Sequence, residues 1–177
     1  MESKSSNLIE QVKSRKSVRN FIFQKIENQT LSEIIDCGRW APSGRNSQPW
    51  KVSIVVHPTV KRMIAELSNY GGIMESAYAN LVIFLDLERG YDRVKDLQAI
   101  GAFIQNILLG VHAKGLGAVW IGEILKNKEK VNEIFKLSAE KFELMAVIAV
   151  GVIDNALEEK SKKERTRRNI DEFLEWY

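Results

Sequence analysis

The chain has 177 residues, 45% of them hydrophobic and 28% charged, and its formal net charge is +3. These values are typical of a globular chain with one hydrophobic core, and the mild charge does not by itself indicate a nucleic-acid partner. The single cysteine, Cys37, excludes an internal disulfide and a zinc site built on thiolates. We expect Cys37 to be a small buried hydrophobe and not a nucleophile.

Neither end of the chain shows a membrane signal. No apolar stretch follows Met1, and the longest apolar run, 144–153, is about half of the roughly 20 residues that a membrane helix needs. We therefore expect a cytoplasmic protein with no membrane partner, folded as a single domain over residues 1–177.

Hydrophobic periodicity predicts helices and strands mixed along the chain. Ser6 or Asn7 can cap a first helix that ends near Ser14. The elements that follow are, in order, a helix over 31–40, a strand over 50–56, a helix over 58–67, a break at 70–72, a strand over 81–87, a helix over 94–114, a strand over 118–121, a helix over 128–135 and a strand over 142–152.

Two of these elements are especially clear. The run 81–87 is apolar at every position except Asp86, which is typical of a strand buried on both faces, and the apolar residues of 94–114 keep the 3.6-residue period of a helix. Gly115 is a natural C-cap for that helix. Helices and strands in this order indicate an α+β fold in which helices wrap a sheet.

The C-terminal tail changes character along its length. Residues 155–169 are almost all polar and strongly basic, and apolar residues return at the end as Ile170, Phe173, Leu174, Trp176 and Tyr177. A terminus that ends in aromatic residues is expected to dock, either on its own body or on a second copy of the chain.

A basic cluster lies between the first helix and an extended stretch. It contains Arg15, Lys16, Ser17 and Arg19. Arginine offers a planar fork of donors that suits phosphate oxygens, and serine adds a hydroxyl donor. A solvated charge run at a helix end explains the cluster equally well, so the cluster alone does not decide between the two.

Two further segments could approach a ligand. The loop 41–50 is rich in small residues, prolines and amides, and it could turn backbone N–H groups and the amides of Asn46 and Gln48 toward a polar ligand. The segment 115–122 is not a dinucleotide fingerprint, because its third glycine is missing and its glycines follow a helix. Gly115 and Gly117 are expected in a cap and a tight turn, and Gly122 ends a strand where a flat ring could approach.

Together these features resemble the nitroreductase family of FMN-dependent oxidoreductases. The resemblance runs from Arg15 to the C-terminus. Its motifs are Arg-Lys-Ser-Val-Arg (15–19), Ala-Pro-Ser-Gly-Arg-Asn-Ser-Gln-Pro-Trp (41–50), Ile-Gln-Asn-Ile-Leu-Leu (104–109), Gly-Leu-Gly-Ala-Val-Trp-Ile-Gly (115–122) and an Arg-x-Arg at 165–167.

The resemblance implies a mostly antiparallel sheet flanked by helices, and a homodimer that exchanges its C-terminal arm, about 155–177, and holds FMN at the dimer interface. Four groups of residues would contact the flavin. The phosphate, ribityl chain and pyrimidine edge would be reached by Arg15, Lys16, Ser17 and Arg19, and the phosphate site would be completed by Arg165 and Arg167. The partner subunit would line the flavin with Pro42, Ser43, Gly44 and Asn46, with Gln48 nearby, and the backbone of Ile121 and Gly122 would lie against the ring near N5.

The activity that the resemblance implies is ping-pong transfer of electron pairs from NADH or NADPH, through flavin N5, to a small acceptor such as a nitroaromatic or a quinone. The flavin carries this chemistry, so no catalytic side chain is expected. His57 and His112 have no clear partner in the sequence, and no cluster has the spacing of a metal site. The sequence departs from the pattern of the nitroreductase family in two places. The lid region, 88–96, is short, and residues 70–74 include no polar or basic side chain of the kind that family members place near the flavin pyrimidine.

Other functions stay open at this point. The chain could bind flavin without turnover, or it could be a reductive dehalogenase or a flavin-modifying enzyme of similar fold. The basic tail, 160–168, could instead bind nucleic acid. Against that function, Glu164 interrupts the basic residues and no aromatic residue lies among them, so we expect no nucleic-acid partner.

Overall fold

The structure is a computed structural model that describes residues 8–161 and 164–177. An antiparallel sheet lies at its centre. Its strands are β1 (Phe21–Ile22), β2 (Trp50–Val55), β3 (Ala79–Asp86), β4 (Gly117–Ile121) and β5 (Phe142–Ile153). The helices are α1 (Leu8–Ser14), α2 (Asn28–Arg39), α3 (Pro58–Ala65), α4 (Gly71–Ser76), α5 (Arg93–Ala113), α6 (Lys128–Ile134) and α7 (Asn155–Lys160). Short 3-10 turns cover Gly44–Asn46, Glu123–Asn127 and Ile170–Glu172.

The strand β5 organises the sheet because three other strands pair with it. It pairs with β3 over most of its length, with β4 from Val147 to Gly151, and with β1 at Val152 and Ile153. β2 pairs with β3 and ends the order β1-β5-β3-β2. All of these pairs are antiparallel, which confirms the predicted α+β fold with an antiparallel sheet.

Both faces of the sheet are buried. Alternate side chains of β3, such as Leu81 and Ile83, pack with α2 and α5 on one face. The residues between them, such as Val82 and Phe84, pack with α3, α4 and α6 on the other. This alternation is a consequence of the two-residue period of a strand, and it explains why the segment 81–85 is continuously apolar.

The long helix α5 begins and ends as its residues predict. The carboxylate of Asp92 accepts a hydrogen bond from the N–H of Lys95 and caps the first turn. At the other end Gly115 has φ +71°, and the N–H of Leu116 donates to the carbonyl of Val111. A left-handed residue with this hydrogen bond is the Schellman C-cap, so the prediction for Gly115 is confirmed.

Several predictions about local structure were wrong. The glycines at 71 and 72 open the helix α4 and do not break the chain, since a bare Gly71 lets the helix start against the carbonyl of Ala65. Gly117 is the first residue of β4 and not a tight turn. The polar run after 155 contains α7, which Asp154 caps through the N–H of Leu157. The proposed caps Ser6 and Asn7 lie outside the described residues.

Cys37 is exposed, which contradicts the predicted burial. The buried face of α2 carries Leu31, Ile34 and Gly38. Cys37 precedes Gly38 by one residue, which is about 100° around the helix, and so it lies at the edge of that face. Within the described ranges no helix is long and apolar enough to cross a membrane.

Candidate functional site

Arg165 joins the tail to the basic cluster near the start of the chain. Its guanidinium donates one hydrogen bond to the carbonyl of Ser14 at 3.2 Å and another to the carbonyl of Arg15 at 2.8 Å. These two carbonyls follow the last turn of α1, where helix carbonyls lack intrahelical partners. The fold therefore brings Arg165 to Arg15, as the resemblance to the nitroreductase family implied.

Arg15, Arg165 and Arg167 form a cluster of positive charge, which we call the arginine cradle. Burial, with the charges of Arg165 and Arg167, lowers the pKa of Arg15 from its usual value. Among residues 8–161 and 164–177, no carboxylate pairs with any of the three guanidinium groups. Uncompensated arginines are costly to hold together, and a bound anion with several oxygens would relieve that cost.

A small cavity of about 80 Å³ lies beside the arginine cradle. Among the residues that line it are Ser14, Arg15, Lys16 and His112. His112, on the last turn of α5, places its Nε2 2.8 Å from the Oγ of Ser14. Sequence reasoning found no partner for His112 because the contact joins residues 98 positions apart. The cavity is much smaller than the roughly 300–1,000 Å³ of a ligand pocket.

The other members of the basic cluster have different surroundings. Lys16 pairs with Glu158 of α7 at 3.4 Å, so its charge is already matched. Oε1 of the same carboxylate accepts hydrogen bonds from the N–H groups of Arg19 and Asn20. Glu158 therefore fixes the backbone of this segment. The side chains of Ser17 and Arg19 are exposed.

The strand β4 leads from the arginine cradle to Gly122. The N–H of Val18 donates to the carbonyl of Ala118, and Gly117 leaves room for the side chain of Val18. Ile121 is buried, and the exposed Gly122 follows it. From Ala118 to Gly122 the strand advances about 13 Å, at roughly 3.3 Å per residue. A ligand with its phosphate in the cradle could thus reach Gly122 along the strand.

The loop 42–48 is held in an unusual conformation by its own polar groups. Arg45, Asn46 and Gln48 all have positive φ, between 49° and 55°. Residues other than glycine seldom adopt this backbone conformation. The N–H of Gln48 donates to the Oγ of Ser43, and the N–H of Asn46 donates to the carbonyl of Ser43. Such strain persists where the structure compensates for it, and it clusters at functional sites.

Tyr91 supports this loop from the short lid segment, and the sequence analysis did not single it out. A Cβ added to Gly44 would overlap the hydroxyl and ring of Tyr91. The guanidinium of Arg45 lies 4.6 Å from the centre of the Tyr91 ring. Glycine at position 44 therefore permits this close approach, and any larger residue would have to displace the ring of Tyr91. Pro42 is exposed, and Ser43 and Gly44 are half-buried.

Within one chain the loop and the arginine cradle lie near opposite ends of α5. The loop contacts Tyr91, just before Arg93, and the cradle adjoins His112. The helix advances about 28 Å over the 19 residues from Arg93 to His112, at 1.5 Å per residue. A pocket of roughly 300–1,000 Å³ is about 10 Å across. One chain alone therefore does not build a single pocket from both groups.

The chain is similar to a known protein family, to solved structures and to several relatives. The family model described as the nitroreductase family matches residues 12–71 and 65–152. A crystal structure from Desulfovibrio desulfuricans, named as a nitroreductase in complex with FMN, has a TM-score of 0.87 and 31% identity, covering 98% of this chain and 96% of that one.

Two curated relatives agree with that match. A protein of Methanothermobacter thermautotrophicus, named as an NADH dehydrogenase/NAD(P)H nitroreductase, is 27% identical over 66% of this chain and 61% of its own length. An FMN reductase [NAD(P)H] of Bacillus subtilis is 24% identical over 97% of this chain and 75% of its own length. With its antiparallel sheet flanked by helices, the chain belongs to the nitroreductase family.

Proposed function

We propose that this protein is an FMN-dependent oxidoreductase that takes electron pairs from NADH or NADPH and delivers them to a small acceptor. The observation that carries the proposal is the arginine cradle, in which Arg15, Arg165 and Arg167 meet without a carboxylate partner among the described residues. The relatives that bind FMN or are named FMN reductases support flavin as the ligand.

The residues present suit the phosphate end of FMN. A phosphate monoester carries nearly two negative charges at neutral pH and three acceptor oxygens, and guanidinium forks match such oxygens. The exposed backbone at Gly122, about 13 Å along β4 from the cradle at roughly 3.3 Å per residue, suits the isoalloxazine end. When bound, FMN supplies the N5 position that accepts a hydride from the nicotinamide and passes the electron pair on.

The described side chains bind and orient the flavin and do not perform chemistry of their own. The arginine cradle holds the phosphate, and the cationic Arg19 stabilises negative charge near the pyrimidine. We place Ile121 and Gly122 against the ring. Lys16 contributes indirectly, because its ion pair with Glu158 helps to fix the backbone segment that carries Arg15 and Arg19.

We further propose that the active form is a homodimer with composite sites, in which the cradle of one chain faces the loop 42–48 of its partner. The roughly 28 Å of helix between the two groups supports this arrangement. Apolar residues of the C-terminal arm support it too, since Phe173 is 60% and Trp176 89% exposed in one chain. In this proposal residues 1–177 form one FMN-binding domain. Its arm, about 155–177, starts on its own chain through Glu158 and Arg165 and places its last residues, 170–177, on the partner subunit.

Arg165 also bears on the nucleic-acid alternative. Its guanidinium is tied to the carbonyls of Ser14 and Arg15, so two of its donor groups are already used within the chain. Lys160, Arg167 and Arg168 are exposed, and Lys162 and Lys163 lie outside the described residues.

The test of the proposed function is anaerobic reduction of the purified protein. We expect FMN to co-purify or to bind on addition, and NADH or NADPH to bleach its absorbance in the absence of oxygen. Reoxidation by nitroaromatics, quinones and free flavins then ranks the acceptors, and parallel lines in initial-rate plots would support ping-pong kinetics. A protein that binds FMN but is bleached by neither nicotinamide would be a passive flavin binder.

A further inference from the structure

Among the described residues that line the cavity beside the arginine cradle, His112 is the one titratable side chain without a fixed charge. Its Nε2 lies 2.8 Å from the Oγ of Ser14, the residue that precedes Arg15. Ser14 lines the same cavity, and its carbonyl accepts a hydrogen bond from Arg165. Ser14 thus contacts the imidazole through its hydroxyl and Arg165 through its carbonyl.

The direction of the hydrogen bond between Ser14 and His112 depends on the charge of the ring. In a neutral imidazole whose proton is on Nδ1, Nε2 is an acceptor, and the hydroxyl hydrogen of Ser14 points at it. A protonated ring carries N–H groups at both nitrogens, so Nε2 can only donate. The serine oxygen then accepts from the ring, and its hydrogen points either to the carbonyl of Gln11, 3.4 Å from the serine oxygen, or to an anion in the cavity. An anion that carries charge is the stronger acceptor of the two.

We propose that Ser14 and His112 are further members of the phosphate site, and that a proton on His112 turns the Ser14 hydroxyl toward a phosphate oxygen. This inference rests on the proposed function, because the phosphate is that of FMN. It adds a short-range donor and a titratable charge to the three arginines. Neither residue belongs to the motifs that indicated the family.

Without a phosphate, the surroundings of His112 oppose its protonation. Burial, followed by the charges of Arg15 and Arg165, lowers the pKa of His112. Lys16 lines the same cavity but is paired with Glu158.

The neighbouring helix α2 supplies no free acid to His112. Its Glu33 is paired with Lys114 at the end of α5, and its Cys37 lies against Gly110. A phosphate bound between the arginines and the imidazole would reverse the local field, because it would bring up to two negative charges into contact with both.

Binding and protonation are therefore linked. A phosphate that raises the pKa of His112 binds more tightly when His112 is protonated. The added affinity is fully present below the pKa of the free protein and is lost as the pH rises through the pKa of the complex. Each unit of pKa shift corresponds to about a tenfold change in affinity. The window is the range of about pH 5 to 8 in which histidine titrates.

The first experiment compares the binding of FMN and riboflavin to the flavin-free full chain across this pH range. We expect FMN affinity to gain about tenfold at low pH in the wild type relative to H112Q, with S14A following H112Q. Riboflavin, which lacks the phosphate, should show no such difference. The phosphate of free FMN has its own pKa near 6. This ionisation of the free ligand is the same in every experiment and cancels when variants are compared, so the difference reports His112 together with the bound phosphate that it contacts.

The second experiment reads the protonation of His112 directly by NMR of the imidazole groups. The chain has only two histidines, so the exposed His57 is an internal reference. We expect FMN or inorganic phosphate to raise the pKa of His112 and to leave His57 unchanged. This measurement uses the wild-type chain and does not depend on the folding of a variant.

The outcomes separate this inference from the proposed function. Tight FMN binding with an unchanged pKa of His112, or with parallel pH profiles for wild type and H112Q, would overturn the inference and leave the proposed function intact. Failure to bind FMN at any pH would overturn the proposed function itself.

Discussion

Arg165 donates a 2.8 Å hydrogen bond to the carbonyl oxygen of Arg15, although 150 residues separate the two in the chain. This contact closes the C-terminal arm onto the first helix and brings their positive charges into one cluster. Repulsion between these like charges destabilises the free protein, and the proposed phosphate would relieve that repulsion.

Replacing Arg165 by alanine should weaken FMN binding about 10- to 100-fold, as expected for loss of hydrogen bonds to a charged group worth about 1.5–3 kcal/mol. Quenching of flavin fluorescence on titration measures the affinity. The matched control is R168A, because the Arg168 guanidinium lies 5.3 Å from the centre of the Phe173 ring instead of at the carbonyls of Ser14 and Arg15. Equal affinities for both variants would show that Arg165 does not belong to the phosphate site.

The substitution Gly44→Ala should displace the loop 42–48, because the new methyl group overlaps Tyr91. We expect a loss of about 1–3 kcal/mol in the free energy of unfolding, typical of overpacking, and weaker FMN binding. Denaturant titration measures the first effect. Gly72→Ala is the control, since a Cβ there meets no atom within 4 Å. The double variant G44A/Y91A should recover part of the loss, and a double variant no more stable than G44A would refute the proposed clash.

Glu158→Gln should reduce stability in a pH-dependent way. Burial acts to raise the pKa of Glu158, but hydrogen bonds from Arg19 and Asn20 outweigh it, and the pKa is lowered. A carboxylate with a lowered pKa stabilises the fold above the pKa of the unfolded chain, about 4.3, and that stabilisation is lost as the pH falls through the folded value.

At neutral pH we expect Glu158→Gln to cost about 1–3 kcal/mol of unfolding free energy, from hydrogen bonds that lose their charged acceptor. Glu140→Gln is the control, because Glu140 is exposed. Wild type and E158Q should converge as the pH falls below about 4. A constant difference at every pH would mean that the charge of Glu158 has no part in the effect.

Removing residues 170–177 should convert the dimer to monomers and release the flavin. The apolar side chains of this segment are exposed in one chain, so their loss should leave the fold of residues 8–161 unchanged by circular dichroism. Sedimentation velocity and the flavin content of the purified protein report the two expected changes. If the truncated chain stays dimeric and keeps its FMN, the arm is not what completes the assembly.

Local patterns in the sequence predicted the strands β2 to β5 and the long helix well, whereas the two-residue strand β1 was missed. The apolar period of 94–114 and the largely apolar run 81–87 correspond to α5 and β3 within two residues at each end. These elements are long and buried, so many residues contribute to each pattern. The short helices α4 and α7 were missed, because α4 starts with two glycines and α7 has no buried residue to mark a face.

The candidate site was predicted in pieces, and the missing parts are contacts between distant residues. The resemblance named Arg15 and Arg165, and the structure joins them. No local pattern indicates the contact between Ser14 and His112, which are 98 residues apart, or the contact between Tyr91 and Gly44. The roles assigned to Ser17, Gln48 and Gly122 stay predictions, since they concern a ligand and a second chain.

The most direct test of the composite site is complementation between two defective variants in the same dimer. One variant, R15A/R165A, lacks the cradle, and the other, G44A/N46A, lacks the loop. With a different affinity tag on each chain, the mixed dimer can be isolated and its FMN content compared with that of either pure dimer. We predict almost no FMN in the pure dimers and one flavin per mixed dimer, because one site then receives an intact cradle from one chain and an intact loop from the other. Folded mixed dimers that hold no more FMN than the pure ones would contradict a flavin site shared between two chains.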